Sequence, residues 1–354
     1  MSRKVSIGIS NHLFFENGEL CIPGYGLKHL DDMPGVEWKI IGGDMSCVSP
    51  EQVDGFDMII TLLSGVTAES LAGNERLLAV LCNAAGYDPV DVPALTEAGV
   101  AVCNTPRAVR RPMATAIITF ILALSLRLPE KTKLAREGRW AERDNYRGTG
   151  LMGKTLGSIG VGGIGHEMFR LAGAFGMKQI AYDPYIKQPD LADVNVELVD
   201  LDRLLAGSDF ISISCPLNET TRHLVGETEL GKMKKTAYLI NTSRGPVVDE
   251  AALIKALQEK RIAGAAIDVF EQEPTPDDNP LLKMDNVIVT PHSIGSTDEI
   301  WVNKWEENVS QVASIIKGEA PEALVNRDVW NQPIFQVKLK RFQEAIASED
   351  TTER

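Results

Sequence analysis

Gly160-Val-Gly162-Gly-Ile-Gly165 is the stretch of sequence that decides the fold of this chain. It ends an apolar run of strand length, Thr155 to Val161, and leads into a pattern of helix length, Ile164 to Phe175. Glycines at this spacing permit a tight strand-to-helix turn and let the backbone approach a pyrophosphate at the positive helix end. The stretch therefore predicts a dinucleotide-binding unit. Its predicted cofactor-binding residues are Gly160, Gly162, Gly163, Ile164 and Gly165.

An acidic residue further along the chain supports this prediction. Asp183 follows the next apolar run, Gln179 to Tyr182, and lies 183 − 160 = 23 residues after Gly160. A carboxylate there accepts hydrogen bonds from a ribose 2′-hydroxyl and repels a 2′-phosphate. The sequence therefore predicts NAD rather than NADP as the cofactor. The alternative is a glycine-rich turn used for close helix packing, with an incidental aspartate.

Further apolar runs of strand length lie on both sides of the glycine-rich stretch. They are Val5 to Ile9, Val36 to Ile41, Met58 to Leu63, Leu77 to Leu81, Val100 to Cys103, Phe210 to Ile213, Ala237 to Asn241, Gly264 to Val269 and Val287 to Thr290. Helical patterns alternate with them, at Met113 to Leu128, Leu201 to Ala206, Glu250 to Glu259 and Thr297 to Ile316. Runs that are apolar on both faces are typical of parallel strands covered by helices. Because the strands are too many for one sheet, we predict two doubly wound α/β domains.

The pattern also suggests where these domains begin and end. We predict a Rossmann-type NAD-binding domain over residues 105–295, inserted in a smaller, flavodoxin-like substrate domain. The substrate domain is discontinuous and combines residues 1–104 with 296–330, because the helix after Thr297 can pack back on the first strands. Residues 331–354 are predicted to be a C-terminal extension, a surface helix with a frayed tail.

Composition argues against several classes of protein. The 354 residues include 36 Lys plus Arg against 49 Asp plus Glu, which gives a formal net charge of −13 and disfavours a nucleic-acid partner. The longest apolar stretch, Ile117 to Leu126, is far shorter than the roughly 18 residues of a bilayer span. The N-terminus lacks the apolar segment of a secretory signal. Five cysteines without metal-type spacing predict reduced thiols in a cytoplasmic protein and no metal site.

Three strand ends after the glycine-rich stretch carry an arginine, a histidine and a glutamate. Carboxyl ends of parallel strands are where doubly wound sheets bind ligands. We predict that Arg244 holds a substrate carboxylate and polarises a ketone, and that His292 donates the proton. Glu273, if hydrogen-bonded to His292, would orient the ring and stabilise its cation. Taken singly, each of the three residues has the alternative of a surface ion pair or a satisfied core group.

Other motifs extend this pattern over most of the chain. They are Ala85-Gly86-Tyr-Asp88-Pro-Val-Asp91, Val102-Cys-Asn104-Thr-Pro106, Tyr182-Asp183-Pro184, Cys215-Pro216-Leu-Asn-Glu-Thr-Thr221, Leu239-Ile-Asn241-Thr-Ser-Arg244-Gly245-Pro-Val-Val-Asp249-Glu250, Glu273-Pro274 and Pro291-His292. From about Leu77 to Val325 the chain resembles the D-isomer-specific 2-hydroxyacid dehydrogenase family, in its branch of glyoxylate/hydroxypyruvate reductases and phosphoglycerate dehydrogenases. The resemblance implies an NAD-dependent oxidoreductase for a small D-2-hydroxy acid and its 2-oxo acid. It also implies a homodimer formed through the cofactor domain.

The resemblance implies roles for individual residues as well. Arg244, Glu273 and His292 match the family's catalytic trio. The backbone of Ala85 and Gly86 matches the loop that holds the substrate carboxylate, so substrate binding is expected from these two residues together with Arg244 and His292. The implied cofactor-binding positions are Met113, Ser214, Cys215, Pro216, Thr221, Thr242 and Asp268. Ser214 stands where the family usually has His, and Glu273 rather than Gln argues against the formate dehydrogenase branch.

Several alternatives stay open at this point. Arg107, Arg110 and Arg111 could favour a substrate with a second acidic group, or could form a solvated helix start or a dimer contact. Asn83 could contact the substrate or cap a strand end. As a whole, the chain could instead be an NAD(H)-sensing, corepressor-like binding protein. It could also be a specialised dehydrogenase for a phosphorylated or dicarboxylic 2-hydroxy acid.

Overall fold

The structure, a computed structural model, describes residues 3–14, 19 and 26–347. The chain divides into two compact units: the first combines Met1–Val109 with Thr297–Arg354, and the second is Arg110–Ser296. The boundary falls at residue 110 rather than after residue 104, because the helix that begins at Arg110 packs within the second unit. Each unit contains one parallel sheet, which confirms the predicted fold class.

The first unit is built on a five-stranded parallel sheet in the order β2-β1-β3-β4-β5. Its strands are β1 (Val5–Ser10), β2 (Val36–Ile41), β3 (Met58–Thr61), β4 (Ala79–Cys82) and β5 (Ala101–Cys103). Its helices are α1 (Gly26–Asp31), α2 (Pro50–Val53), α3 (Val92–Glu97), α10 (Asp298–Lys317) and α11 (Pro333–Ala347). Successive residues of β4 contribute to two different cores, Leu81 to one and Val80 to the other. The sheet is therefore covered on both faces, and its strand order is that of flavodoxin-like folds.

The second unit contains a seven-stranded parallel sheet in the order β12-β11-β10-β9-β6-β7-β8. Its strands are β6 (Thr155–Ile159), β7 (Lys178–Tyr182), β8 (Glu197–Leu198), β9 (Phe210–Ile213), β10 (Tyr238–Asn241), β11 (Gly264–Ile267) and β12 (Val287–Val289). Its helices are α4 (Arg110–Leu126), α5 (Leu128–Arg136), α6 (Gly163–Ala172), α7 (Leu201–Gly207), α8 (Glu227–Lys232) and α9 (Glu250–Gln258). The order reverses between β6 and β9, as in Rossmann sheets, and such switch points bind ligands.

Short 3₁₀ helices connect many of these elements. They lie at Asn11–Leu13, Glu69–Leu71, Trp140–Tyr146, Gly173–Phe175, Gln188–Leu191, Gly245–Val247, Pro280–Lys283 and Arg327–Asn331. Sequence patterns did not predict β8 or the short helices α1, α2, α3 and α8, because each is too brief to display a period.

The helix predicted from Met113 to Leu128 ends two residues early. Arg127 adopts a left-handed backbone conformation, with φ of 54°, and a separate helix, α5, starts at Leu128. Pro129 has no N–H to donate to the carbonyl of Ser125, so α4 cannot continue through it. That carbonyl accepts a hydrogen bond from the backbone N–H of Thr149 instead, at 2.7 Å.

Among the described residues, no single helix is long and apolar enough to cross a membrane. The bent pair α4 and α5, with 59° between its helices, passes the same test by length and composition alone. In this structure α4 buries Ile117, Phe120 and Ile121 in the core of the second unit.

The C-terminal helix is more deeply embedded than its prediction as a surface element. Phe335, Leu339 and Phe342, on one side of α11, are each at most 4% exposed and belong to a core of the first unit. The ring of Phe335 packs against Trp330, with 4.7 Å between ring centroids. Lys338 Nζ donates to the carbonyl of Ala98 at 2.9 Å. The helix is therefore part of the first unit, and the predicted frayed tail lies outside the described residues.

Replacing Phe335 by Ala tests this packing. We expect the free energy of unfolding of the first unit to fall by about 3–5 kcal/mol, because the change removes a fully buried aromatic side chain. The matched control is Val337→Ala, at a position that is 51% exposed on the same helix. It should change stability by no more than about 0.5 kcal/mol. Urea unfolding followed by tryptophan fluorescence measures both, and equal midpoints would contradict the packing of α11.

Candidate active site

The glycine-rich loop, residues Gly160–Gly165, joins β6 to α6 at the switch point of the sheet. Gly160 has φ of +91°, and a Cβ at this position would lie 2.8 Å from the backbone N of Cys215. A Cβ on Gly165 would lie 2.9 Å from the carbonyl oxygen of Gly160. Only glycine permits these approaches, so the loop packs directly against the chain that leaves β9. The helix starts at Gly163 with its first N–H groups lacking intrahelical partners, as a phosphate site requires.

Asp183 is fixed beside this loop by two backbone hydrogen bonds. Its Oδ2 accepts from the N–H of Val161 at 2.9 Å, and its Oδ1 accepts from the N–H of Tyr185 at 2.9 Å. The carboxylate therefore stands at the end of β7 next to the loop, where a ribose hydroxyl would be recognised. Loop and carboxylate together fit a dinucleotide.

The predicted cofactor positions after β9 and β10 form a hydrogen-bonded layer. The Oγ of Ser214 is 3.2 Å from that of Ser212, and Ser243 Oγ donates to the carbonyl of Cys215. Thr221 Oγ1 donates to the carbonyl of Pro216 at 2.7 Å. Burial raises the pKa of the Cys215 thiol to about 11, so the thiol is neutral and suits a wall position. Thr242 is partly buried, one residue before Ser243.

His292 and Glu273 form a direct pair. The distance from His292 Nδ1 to Glu273 Oε2 is 2.7 Å, and each side chain is about one-third exposed, 33% and 35%. Glu273 Oε1 accepts from the backbone N–H of Phe270 at 2.9 Å, which holds the carboxylate in place. Within the described part of the chain no hydrogen bond involves His292 Nε2. The second ring nitrogen is thus available for proton transfer.

The charge of Glu273 can be assigned. Burial acts to raise the pKa of Glu273, but the hydrogen bonds from His292 and from the Phe270 N–H, with the charges of His292 and Arg244, lower it below its usual 4.5. The carboxylate is therefore ionised at neutral pH. The charge of Arg244 thus acts on Glu273 in the direction that keeps the carboxylate ionised.

Arg244 reaches this position because its loop packs tightly. Asn241 Nδ2 donates to the carbonyl of Arg244 at 3.0 Å, and Arg244 Nη1 donates to the carbonyl of Ser243 at 2.8 Å. A Cβ on Gly245 would overlap the backbone of Phe270, three residues before Glu273. The small size of Gly245, which sequence reasoning did not single out, brings the arginine loop against the glutamate loop.

Asp268 organises the turn that carries His292. Its buried Oδ1 accepts from Thr290 Oγ1 at 2.5 Å, from the N–H of Ser293 at 2.9 Å and from the N–H of Ile294 at 3.1 Å. Its carbonyl accepts from the His292 N–H at 2.8 Å. His292 has φ of 50°, in the left-handed region that disfavours non-glycine residues. Asp268 therefore holds a strained turn, a role that the sequence did not indicate, and its predicted cofactor contact stays a prediction.

Met113 lies in a different unit from the predicted substrate residues Asn83, Ala85 and Gly86. In the second unit, the thioether of Met113 packs on Gly295 in the His292 loop, where a Cβ would overlap it. In the first unit, Asn83 is fully buried, and its Nδ2 donates to Asn308 Oδ1 at 2.6 Å rather than capping the strand. The carbonyl of Ala85 accepts from Asn104 Nδ2 at 2.7 Å, and Gly86 follows in the same loop after β4.

The three arginines 107, 110 and 111 do not form one cluster. Arg107 Nη1 is 2.6 Å from Glu322 Oε2 within the first unit, and Arg111 Nη1 is 2.7 Å from Glu167 Oε1 within the second. The side chain of Arg110 instead lies over Gly163 in the glycine-rich loop. The three side chains therefore have separate surroundings.

Comparisons with known proteins agree with this geometry. The family model "D-isomer specific 2-hydroxyacid dehydrogenase, NAD binding domain" matches residues 118–293. A glyoxylate reductase of Korarchaeum cryptofilum is 38% identical over 87% of this chain and 94% of its own length. A D-3-phosphoglycerate dehydrogenase of Methanocaldococcus jannaschii is 40% identical over 78% of this chain, which spans 53% of that relative. The structure of a D-lactate dehydrogenase from Aquifex aeolicus, complexed with NAD and lactic acid, is similar at a TM-score of 0.79, with 29% identity and coverage of 90% of this chain and 99% of that one.

The fold, the glycine-rich loop and these matches define an NAD-dependent oxidoreductase. More specifically, the chain belongs to the D-isomer-specific 2-hydroxyacid dehydrogenase family. The predictions of family, enzyme class and NAD as cofactor are thus confirmed. The roles of the individual site residues stay predictions.

Asp268→Ala tests the role of the buried carboxylate. We expect the free energy of unfolding of the second unit to fall by about 1–3 kcal/mol, because three donors lose a buried acceptor. Reductase activity should fall with it, since the His292 turn loosens. The control is Asp285→Ala, whose side chain is 82% exposed and whose loss should be nearly neutral. Urea unfolding followed by circular dichroism compares them, and identical curves for the two variants would refute the anchoring role.

Proposed function

We propose that this chain reduces a small 2-oxo acid of the glyoxylate or hydroxypyruvate type to its D-2-hydroxy acid with NADH, and catalyses the reverse reaction with NAD. The single observation that carries this proposal is the His292–Glu273 pair at 2.7 Å, with the charge of Arg244 beside it. The names of the relatives support the substrate class, because the matching glyoxylate reductase is covered over 94% of its length.

The proposed mechanism assigns one task to each member of the trio. NADH, when bound, supplies the hydride. The guanidinium of Arg244 binds the substrate carboxylate through its planar fork of donors. Glu273 holds Nδ1 of His292, so the ring gives its Nε2 proton to the substrate oxygen. Arg244 and the imidazolium of His292 stabilise the negative charge that develops on this oxygen.

We assign cofactor binding to the second unit and substrate selection to the first, with Ala85 and Gly86 as its substrate-binding residues. Asn83, predicted as a further substrate contact, is fully buried and bonds Asn308 instead. Selection of the hydroxy acid by the first unit is supported by the backbone of Ala85 and Gly86, which lies in the loop after β4.

We also propose a homodimer formed through the second unit. Support comes from its exposed apolar side chains Leu126, Leu128, Trp140 and Met152. A cytoplasmic location stays a prediction, supported by the unpaired state of the four described cysteines.

A panel of 2-oxo acids tests the proposed function. Glyoxylate, hydroxypyruvate, pyruvate, branched and dicarboxylic 2-oxo acids are mixed with NADH, and the loss of NADH absorbance is followed. We expect turnover with glyoxylate or hydroxypyruvate, with D stereochemistry in any chiral product. NADPH should react more slowly, because Asp183 repels a 2′-phosphate. Tight NADH binding without turnover would favour a sensor, and a strong preference for dicarboxylic acids would favour the specialised dehydrogenase.

A matched pair of histidine variants serves as the control for this panel. The chain contains a second histidine–glutamate pair, His223 Nε2 to Glu271 Oε1 at 2.6 Å. His292→Gln should lower kcat by about 10² to 10⁴, the usual contribution of a general acid. His223→Gln should leave kcat unchanged. Equal losses in both variants would count against His292 as the proton donor.

The pH profile tests the role of Glu273. Because the pKa of Glu273 is lowered, its carboxylate keeps its charge from neutral pH down into the acid range and loses it only as the pH falls through that lowered pKa. We expect kcat/KM to fall on the acid side as Glu273 takes up a proton and no longer holds the ring of His292 as a carboxylate. In Glu273→Gln, which has no carboxyl group to titrate, kcat/KM should be lower throughout and this acid-side fall should be absent. Measured profiles that coincide would contradict the assignment, and Glu271→Gln provides the control.

A further inference from the structure

We propose that Arg110 binds the diphosphate of the cofactor, so that a side chain from α4 completes the anion site of the glycine-rich loop. This inference rests on the dinucleotide site proposed above. It adds a cofactor-positioning residue that lies outside the glycine-rich loop itself.

The first step is the position of the Arg110 side chain. Arg110 is the first residue of α4, and its side chain crosses Gly163, the first residue of α6. A Cβ on Gly163 would lie 2.6 Å from Arg110 Nε and 3.0 Å from its Cδ. Gly163 therefore leaves room for the guanidinium at the helix end where the first N–H groups emerge.

The second step is that helix packing fixes this position. Arg111, the next residue, pairs with Glu167 on α6, at 2.7 Å between Nη1 and Oε1. Further along the two helices, Ile117 of α4 and Phe169 of α6 are buried in the same core. The first turn of α4 is thus held against the first turn of α6. This packing places Arg110 next to the glycine-rich loop.

The third step is electrostatic. The N-terminal end of a helix carries partial positive charge and disfavours a nearby cation unless an anion binds both. Arg107 and Arg111 each have a carboxylate partner. Among the described residues, no hydrogen bond or ion pair is found for the Arg110 guanidinium. A diphosphate between the guanidinium and the loop N–H groups would satisfy both, since guanidinium binds phosphate oxygens in a bidentate manner.

NADH binding, followed by fluorescence titration, tests this inference without reference to turnover. Arg110→Gln should weaken NADH binding about tenfold and make the affinity less dependent on salt concentration, since one charge contact is lost. The matched control is Arg170→Gln, which removes the same charge from the far end of α6 and leaves Glu167 paired with Arg111. This control should bind NADH as the unmodified protein does.

Competition experiments separate the diphosphate from the rest of the cofactor. Arg110→Gln should raise the inhibition constant of ADP, corrected for the weaker NADH binding, about tenfold and leave that of adenosine unchanged. Gly163→Ala, which crowds the Arg110 side chain, should weaken ADP binding in the unmodified background but add little in the Arg110→Gln background. Thermal unfolding of each variant confirms that the fold is retained.

Two results would overturn the inference while the proposed function stands. One is equal NADH and ADP affinities in Arg110→Gln and Arg170→Gln. The other is an Arg110→Gln variant that only raises KM for dicarboxylic 2-oxo acids, which would place Arg110 on the substrate. Failure of the unmodified protein to bind NADH at all would instead refute the proposed cofactor site and this inference with it.

Discussion

The buried carboxylate of Asp268 is the interaction on which the candidate site depends. It accepts three hydrogen bonds from the segment that carries His292, and the backbone of the same residue accepts a fourth from His292 itself. This network compensates for the left-handed conformation of His292, which would otherwise cost about 1–3 kcal/mol. The turn consequently holds the ring at hydrogen-bond distance from Glu273.

Close backbone approach is the second constraint, and it explains why glycines recur around the site. Gly160 lets the cofactor loop pack on the chain after β9, and Gly245 lets the arginine loop pack on the segment before Glu273. Through these approaches, loops that follow different strands and lie far apart in the sequence meet at one edge of the sheet. The same edge therefore carries the glycine-rich loop and the His292–Glu273 pair.

Local sequence signals were sufficient for much of this picture. The glycine spacing, the acid at the end of β7 and the alternation of apolar runs with helical patterns predicted both parallel sheets, because each signal is contained within a short segment. Residue type at strand ends was enough to single out Arg244, Glu273 and His292, whose roles stay predictions. The anchoring role of Asp268 and the position of Arg110 over Gly163 could not, because they depend on contacts between segments far apart in the chain. The burial of Phe335 was missed for the same reason.

The interrupted course of the chain has a consequence for biosynthesis. The second unit is one continuous stretch, whereas the first contains β1–β5 from the beginning of the chain and α10 and α11 from its end. During translation, the early strands leave the ribosome long before Phe335 and Phe342 are made to complete their core. The second unit can therefore fold first, while the apolar strands of the first unit stay exposed. Nascent chains would need protection by chaperones during this interval.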